Sequence, residues 1–182
     1  MRSVADSVAA QAGGYDRAMA AAPDIRVTPV TPELAPAVRA LRVAADQYAY
    51  VGDIAVNLLD AERTPDSEAM AILAGDSVIG FYRIDHFPSI VALKPLGTGA
   101  VGLRSFLIDR AWQGRGLAAR AVQALCDDLR RRHPQVRLLA LNVNCRNVAA
   151  IRAYRNAGFV DSGELVFGGS AGPQHLMLRS LC

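Results

Sequence analysis

The chain has 182 residues and a mass of 19.4 kDa; 52% of its residues are hydrophobic, 20% are charged, and the formal net charge is +3. That composition excludes a disordered chain, the length suits one domain with a real core, and no apolar run approaches the roughly 20 residues of a membrane helix. Cys126, Cys145 and Cys182 are too few and too scattered for a disulfide framework or a zinc cluster, so each reads as a small hydrophobe in a reducing cytoplasm and no metal is expected.

Residues 1–23 are rich in Ala and Ser, but Asp6, Gly13, Gly14 and Asp16 interrupt any apolar run of the kind a secretory signal needs. They read as a tail or loose helix outside a folded domain spanning 24–182. Ile25–Val30 alternates and predicts a first strand. Thr31-Pro32-Glu33 predicts a helix start with Thr31 as N-cap, followed by the apolar stripe Leu34, Val38 and Leu41. Asp53–Glu62 predicts a second helix. Ala69–Leu73 and Val78–Ile84 read as strands joined by a turn at Gly75-Asp76, and Ala100–Ile108 as another strand. Gly116–Arg132 is the clearest helix, with Leu117, Ala121, Val122, Leu125 and Leu129 at helical spacing and Pro134 closing it. Arg137–Val143 reads as a buried strand. Asn147–Asn156 reads as a helix ending before Gly158, and Phe159–Phe167 and Gln174–Leu178 as late strands. Strands and helices alternate, which places the chain in the mixed α/β class.

Charge is unevenly distributed. Between Asp46 and Asp76 seven acidic residues stand against Arg63, a segment charge of −6; between Arg115 and Arg155 nine arginines stand against Asp127 and Asp128, a segment charge of +7. Two solvated helix faces would account for this, as would a site where a cationic ligand meets an anionic one.

Three glycine patterns compete for attention. Gly97–Gly102 matches GxGxxG, but it leads into the strand-like LRSFLI rather than a helix, which argues against a dinucleotide-binding turn. Gly168–Gly172 matches GxSxG, but Pro173 follows at once and no acidic residue remains downstream, so a hairpin loop replaces a nucleophile elbow. Gln113-Gly114-Arg115-Gly116-Leu117-Ala118 lies between a strand and an amphipathic helix, a context suited to anion binding by unpaired amides and the helix dipole. No Lys-Ser/Thr pair follows its second glycine, which disfavours ATP and GTP.

About thirty residues on stands Asn147-Val-Ala-Ala150-Ile-Arg-Ala-Tyr154-Arg-Asn-Ala-Gly158-Phe159. With it the chain resembles the GNAT superfamily of acetyl-CoA-dependent N-acetyltransferases. The family's (Arg/Gln)-x-x-Gly-x-(Gly/Ala) loop matches Gln113, Gly116 and Ala118. Its later signature matches Asn147, Ala150, Tyr154, Gly158 and Phe159. Segment 64–85 and the QGRGLA loop further resemble bacterial spermine/spermidine acetyltransferases of this superfamily. The resemblance implies a single-domain fold with a mixed, mostly antiparallel sheet splayed between the fourth and fifth strands. It implies backbone contacts from Phe106, Leu107 and Ile108 to the pantetheine arm of acetyl-CoA. The pyrophosphate would lie on Gln113, Gly114, Arg115, Gly116, Leu117 and Ala118. Asn147 would reach the pantetheine, and Tyr154 would act as general acid to the leaving thiolate. A core tyrosine with a satisfied hydroxyl is the competing structural reading of Tyr154.

Relatives often carry a carboxylate base on the central strand, but Ala100–Ile108 has none; Asp85, His86, Asp109, Glu164 and the acidic segment are the remaining candidates. The expected activity is acetyl transfer to a primary amine of a small cationic acceptor drawn in by the acidic segment. A catalytically inactive acyl-CoA-binding module is the alternative. The arginines raise nucleic-acid binding, but with one lysine, Lys94, and no recognition motif, no nucleic-acid partner is expected, nor a membrane one. A cytoplasmic location and a homodimer through the late strands complete the expectations.

Overall fold

A computed structural model describes residues 23–168 and 171–182. Residues 1–22, expected as a tail, and Gly169 and Ser170 of the glycine-rich loop lie outside the described residues. The strands are β1 (Ile25–Pro29), β2 (Ser67–Ala74), β3 (Ser77–Asp85), β4 (Ala100–Ile108), β5 (Leu138–Asn144), β6 (Val160–Val166) and β7 (Gln174–Ser180). They form one sheet in the order β1-β2-β3-β4-β5-β7-β6, antiparallel throughout except for the β4–β5 pair. The helices are α1 (Ala35–Ala40), α2 (Tyr48–Val51), α3 (Ile54–Arg63), α4 (Ser89–Ala92), α5 (Leu117–Arg132) and α6 (Val148–Asn156).

Alternation along the strands sends side chains to two layers. On one face Met70, Ile72, Tyr82, Ile84, Leu139 and Leu141 meet Leu117, Ala121, Val122, Leu125, Cys126 and Leu129 of α5, with Ile151 and Tyr154 of α6. On the other, Ala71, Leu73, Phe81 and Leu107 meet Val38 of α1 and Ile54 and Leu58 of α3. Further along the sheet Ala140 and Leu176 meet Val91 and Ala92 of α4.

Two local sequence choices set the geometry that matters. β4 and β5 pair only where Ala100–Gly102 faces Leu138–Ala140, after which they part. At the closed end Arg137 donates its N–H to the Gly99 carbonyl at 2.7 Å, and a Cβ at Gly99 would sit 2.7 Å from the Gln135 carbonyl oxygen, so only glycine allows the approach. At the open end β4 carries a bulge: Phe81 faces Leu107 and Arg83 faces Arg104, leaving Ser105 and Phe106 opposite Tyr82 alone. Ser105 takes the left-handed conformation there (φ +50°), and its hydroxyl donates to Asn57 Oδ1 of α3 at 2.7 Å. Beyond Gly102, β4 keeps its bonds to β3 and β5 keeps its bonds to β7, so the gap between them is lined by free strand edges.

The helix expected at Thr31 begins later. Thr31 is not its N-cap: its carbonyl accepts from the N–H groups of Leu34 and Ala35 in a turn, and α1 starts at Ala35 with Leu34 at the cap. The helices expected from Asp53 and Asn147 begin one residue later, with Asp53 and Asn147 as their caps, and Gly158 (φ +85°) follows α6 as expected. The Gly97–Gly102 run is a turn leading into β4 rather than a strand-to-helix turn. Among the described residues no helix is long and apolar enough to cross a membrane.

Candidate active site

The gap between β4 and β5 widens into a cleft of about 730 Å³. Its walls come from β4 (Arg104 to Ile108), β5 (Asn142 to Asn144), the α2–α3 region (Tyr50, Asp53, Asn57) and α6. One end is the loop ahead of α5. Gly114 and Gly116 both have positive φ (+76° and +69°), and a Cβ on either would meet open space, so backbone conformation rather than crowding demands glycine. Among the described residues no carbonyl takes the N–H of Gly114, Arg115 or Gly116. Leu117 and Ala118 open the sixteen-residue α5, where the first amides lack intrahelical partners and the dipole is positive. The loop is thus a cluster of free donors facing one end of the cleft, suited to a phosphate-bearing ligand.

The side chains around this loop divide the labour. Gln113 turns inward: its amide donates to the Ile108 carbonyl at 2.8 Å, and it exchanges two hydrogen bonds with Gln47 at 3.0 and 3.1 Å. Gln47 also accepts from the Ala44 N–H, so the pair ties the loop to the start of α2. Arg115 folds back, its guanidinium 5.1 Å from the Trp112 ring centroid and donating to the Ala111 carbonyl at 2.9 Å. Of the residues expected at the loop, Gly114, Gly116, Leu117 and Ala118 line the cleft, as does Gln113, but the Arg115 side chain is held against Trp112.

Tyr154 projects from α6 into the deep part of the cleft and is 7% exposed. Its ring meets Phe106 edge-on at 5.9 Å and Phe159 edge-on at 5.5 Å between centroids. The Phe106 contact brings α6 against the bulged end of β4. Burial pushes the Tyr154 phenol well above its ordinary pKa, which keeps the hydroxyl protonated. Asn147 lines the same wall, while its Oδ1 caps α6 by accepting from the Ala150 N–H at 3.2 Å. That leaves its NH2 group for the cleft.

The carboxylates singled out as bases are spent elsewhere. Asp85 is 2% exposed and accepts from the Ser67 hydroxyl at 2.6 Å and from Arg104 at 2.9 Å, with buried Arg83 at 3.5 Å. Asp109 accepts from the Ala111 and Arg42 N–H groups. Glu164 pairs with Lys94 at 2.6 Å, and His86 pairs with Glu68. None of the four lines the cleft. The acidic segment is also dispersed. Asp60 pairs with Arg83, whose hydrogen bond and charge hold the carboxyl below its ordinary pKa. Asp76 sits on the β2–β3 turn, 3.9 Å from Arg26, and Asp53 is the segment's member that lines the cleft. The basic segment is split the same way, since Arg130, Arg131 and Arg132 pair with Asp127, Asp128 and Glu68 at the far end of α5.

Gln47, Asn57 and Ser105 are among the contributors to the cleft that were not singled out from the sequence. Of these, Ser105 left a trace, as a polar residue inside an apolar strand pattern, whereas Gln47 and Asn57 act through partners distant in the chain.

The chain matches the model of the acetyltransferase (GNAT) family over residues 36–159. It is 30% identical over 145 residues to a protein named spermine/spermidine N(1)-acetyltransferase from Bacillus subtilis (strain 168), covering 80% of this chain and 93% of that one. Among solved structures it is similar to spermidine N-acetyltransferase from Vibrio cholerae in complex with CoA and spermine, with TM-score 0.65 and 14% identity, covering 86% of this chain and 95% of that one. It is also similar to AAC(6')-Ib in complex with paromomycin and acetyl-CoA, with TM-score 0.64 and 19% identity over 86% and 93% of the two chains. With the free-edged gap, the loop of open amides and the buried tyrosine already in place, the chain belongs to the acetyltransferase (GNAT) family and is an acetyl-CoA-dependent N-acetyltransferase.

Proposed function

We propose that the acceptor is a small polycationic amine of the polyamine type, acetylated at a primary amino group in the cleft between β4 and β5. The carrying observation is the charge of the acceptor wall. Among the described residues Asp53, at the start of α3, is the acidic side chain that lines it, and the cationic side chain there, Arg104, is neutralised by Asp85 at 2.9 Å. Two curated relatives named for spermine acetylation, each 30% identical, support the same class.

The residues present fit acetyl-CoA, whose thioester supplies an acyl group already activated for transfer. Free N–H groups at Gly114, Arg115 and Gly116, continued by Leu117 and Ala118, suit a pyrophosphate. The unpaired edge of β4 at Phe106, Leu107 and Ile108 offers backbone donors and acceptors to a pantetheine arm and to the carbonyl that must be polarised. The NH2 of Asn147 adds a donor from the opposite wall. Gln113 holds the loop in place through Ile108 and Gln47 rather than meeting the ligand with its side chain.

Tyr154, protonated and ringed by Phe106 and Phe159, gives its proton to the sulfur as the carbon–sulfur bond breaks. The bulge at Ser105, fixed by Asn57, sets the angle at which β4 presents its amides to the acyl carbonyl. No carboxylate among the described residues stands in the deep cleft to deprotonate the amine, so the acceptor's proton leaves to water through the open mouth and the neutral amine attacks. A homodimer through the late strands is supported by β6, the outermost strand, whose outer edge is free among the described residues.

Asp53→Asn tests the acceptor reading. Asn keeps an oxygen for the Val56 N–H that Asp53 now accepts at 2.9 Å, so the α3 cap survives. KM for a polyamine should rise by roughly two- to fivefold, the range for one exposed ion pair, with KM for acetyl-CoA unchanged. An unchanged polyamine KM would remove Asp53 from acceptor binding.

A further inference from the structure

At the far end of the sheet from the loop, three chain segments bring ligating side chains to one point. Glu68 comes from the start of β2, His86 follows β3, and His133 follows α5. The chain has three histidines, and two of them aim Nε2 at the same oxygen: His86 Nε2 lies 2.6 Å and His133 Nε2 2.9 Å from Glu68 Oε1. The rings meet edge to face, with centroids 4.9 Å apart, and the three donor atoms all lie within 4.8 Å of one another. All three side chains are about a quarter exposed, so the cluster is reached from solvent. None of them lines the acetyl-transfer cleft.

We propose that Glu68, His86 and His133 form a binding site for a divalent transition-metal cation of the zinc class, separate from the acetyl-transfer cleft. Two imidazoles and one carboxylate are the donor set that borderline cations favour over magnesium or calcium, with water completing the coordination. The carboxylate is already oriented. Arg132 engages the other oxygen, Oε2, and is itself fixed by Asp128 Oδ2 at 2.7 Å. That outer pair orients the ligating carboxylate while leaving Oε1 for the cation. Metal–ligand bonds of about 2.0–2.2 Å at tetrahedral angles place donors roughly 3.3 Å apart, so the His86–Glu68 and His133–Glu68 contacts must open by about 0.7 and about 0.4 Å, within reach of partly exposed side chains. Each ring then carries its proton on Nδ1. Arg132, whose guanidinium lies 3.1 Å from His133 Nε2, opposes the cation, and Asp128 offsets it. Because the ligands come from three elements, an ion would tie the end of α5 to the mouths of β2 and β3.

The test uses the full chain without a histidine tag, titrated with Zn²⁺ by calorimetry and followed by thermal unfolding, with Co²⁺ absorption reporting ligand geometry. One ion per chain is expected, with Tm raised by about 5–10 °C at a hundredfold excess over Kd. Binding, Tm shift and tetrahedral Co²⁺ bands should disappear in His86→Ala and in His133→Ala and persist in His175→Ala. Acetyl transfer should be retained in all three variants, which shows that they fold. No Tm rise in the unmodified chain, or binding that survives in the His86→Ala/His133→Ala double variant, overturns the site and leaves a plain ion-pair cluster.

Discussion

Replacing Tyr154 by Phe removes one oxygen and little else. The ring keeps its edge contacts to Phe106 and Phe159, and among the described residues no group hydrogen-bonds the hydroxyl whose loss would be felt in folding. Stability should therefore change by less than about 1 kcal/mol. Catalysis should not be spared. Without a proton donor the thiolate leaves unaided, and loss of a positioned general acid costs about 10²–10⁴ in rate, or about 2.7–5.4 kcal/mol in the barrier. The binding surface for acetyl-CoA is otherwise untouched, so KM for acetyl-CoA should stay within about twofold while kcat falls. The assay is release of CoA thiol with a saturating polyamine, beside a thermal melt of both proteins. A kcat within threefold of the parent, with an unchanged melt, would refute the acid role and leave Tyr154 as a packed core residue. A large fall in both kcat and Tm would show instead that the hydroxyl is structural.

Four further outcomes follow from burial and pairing. Burial raises the Tyr154 phenol above its ordinary pKa, so it remains protonated below pH 10. With no carboxylate among the described residues in the deep cleft, log(kcat/KM) should rise with unit slope up to the acceptor amine's pKa near 10.4, whereas a plateau near neutral pH would reveal a base on the protein. The same raised phenol leaves its contribution to folding intact below pH 10, losing it only as pH rises and the unfolded chain's tyrosine ionises first. Burial also pushes the Cys126 thiol up to about 11, so in the native chain exposed Cys182 should react with iodoacetamide at pH 8 while Cys126 stays unlabelled; labelling of Cys126 at the same rate would contradict its burial. Arg83 is 1% exposed and pairs with both Asp60 and Asp85, so Arg83→Ala should cost about 3–5 kcal/mol in urea unfolding, and a cost below 1 kcal/mol would show the pairs to be dispensable.

What could be read along the chain was whatever is local. The 113–118 loop, the Asn147–Phe159 signature, the helix starting at Asp53 and the Gly75-Asp76 hairpin each depend on residues a few positions apart, and each appears where expected. The destination of a charge was not legible. Asp60, Asp85 and Glu68 look alike in sequence, yet Arg83, Arg104 and Arg132 claim them through strand register and helix packing. Of the seven acidic residues in the 46–76 segment, Asp53 alone therefore lines the cleft. The side-chain partner of Gln113 was hidden for the same reason, since Gln47 is 66 positions away and only folding brings the two amides together. The Ser105 bulge was hidden because alternation of side chains says nothing about where one strand gains a residue on its neighbour.

The most direct test of acetyl transfer to a polycationic amine is kcat/KM across a panel at fixed pH and low salt: spermine, spermidine, an aminoglycoside, a simple alkylamine and a neutral amide-bearing amine, each with acetyl-CoA. Spermine or spermidine should exceed the simple alkylamine by at least about tenfold, with the advantage shrinking as salt is raised. Equal rates for polyamine and alkylamine, or no CoA release with any amine, would contradict the proposed acceptor.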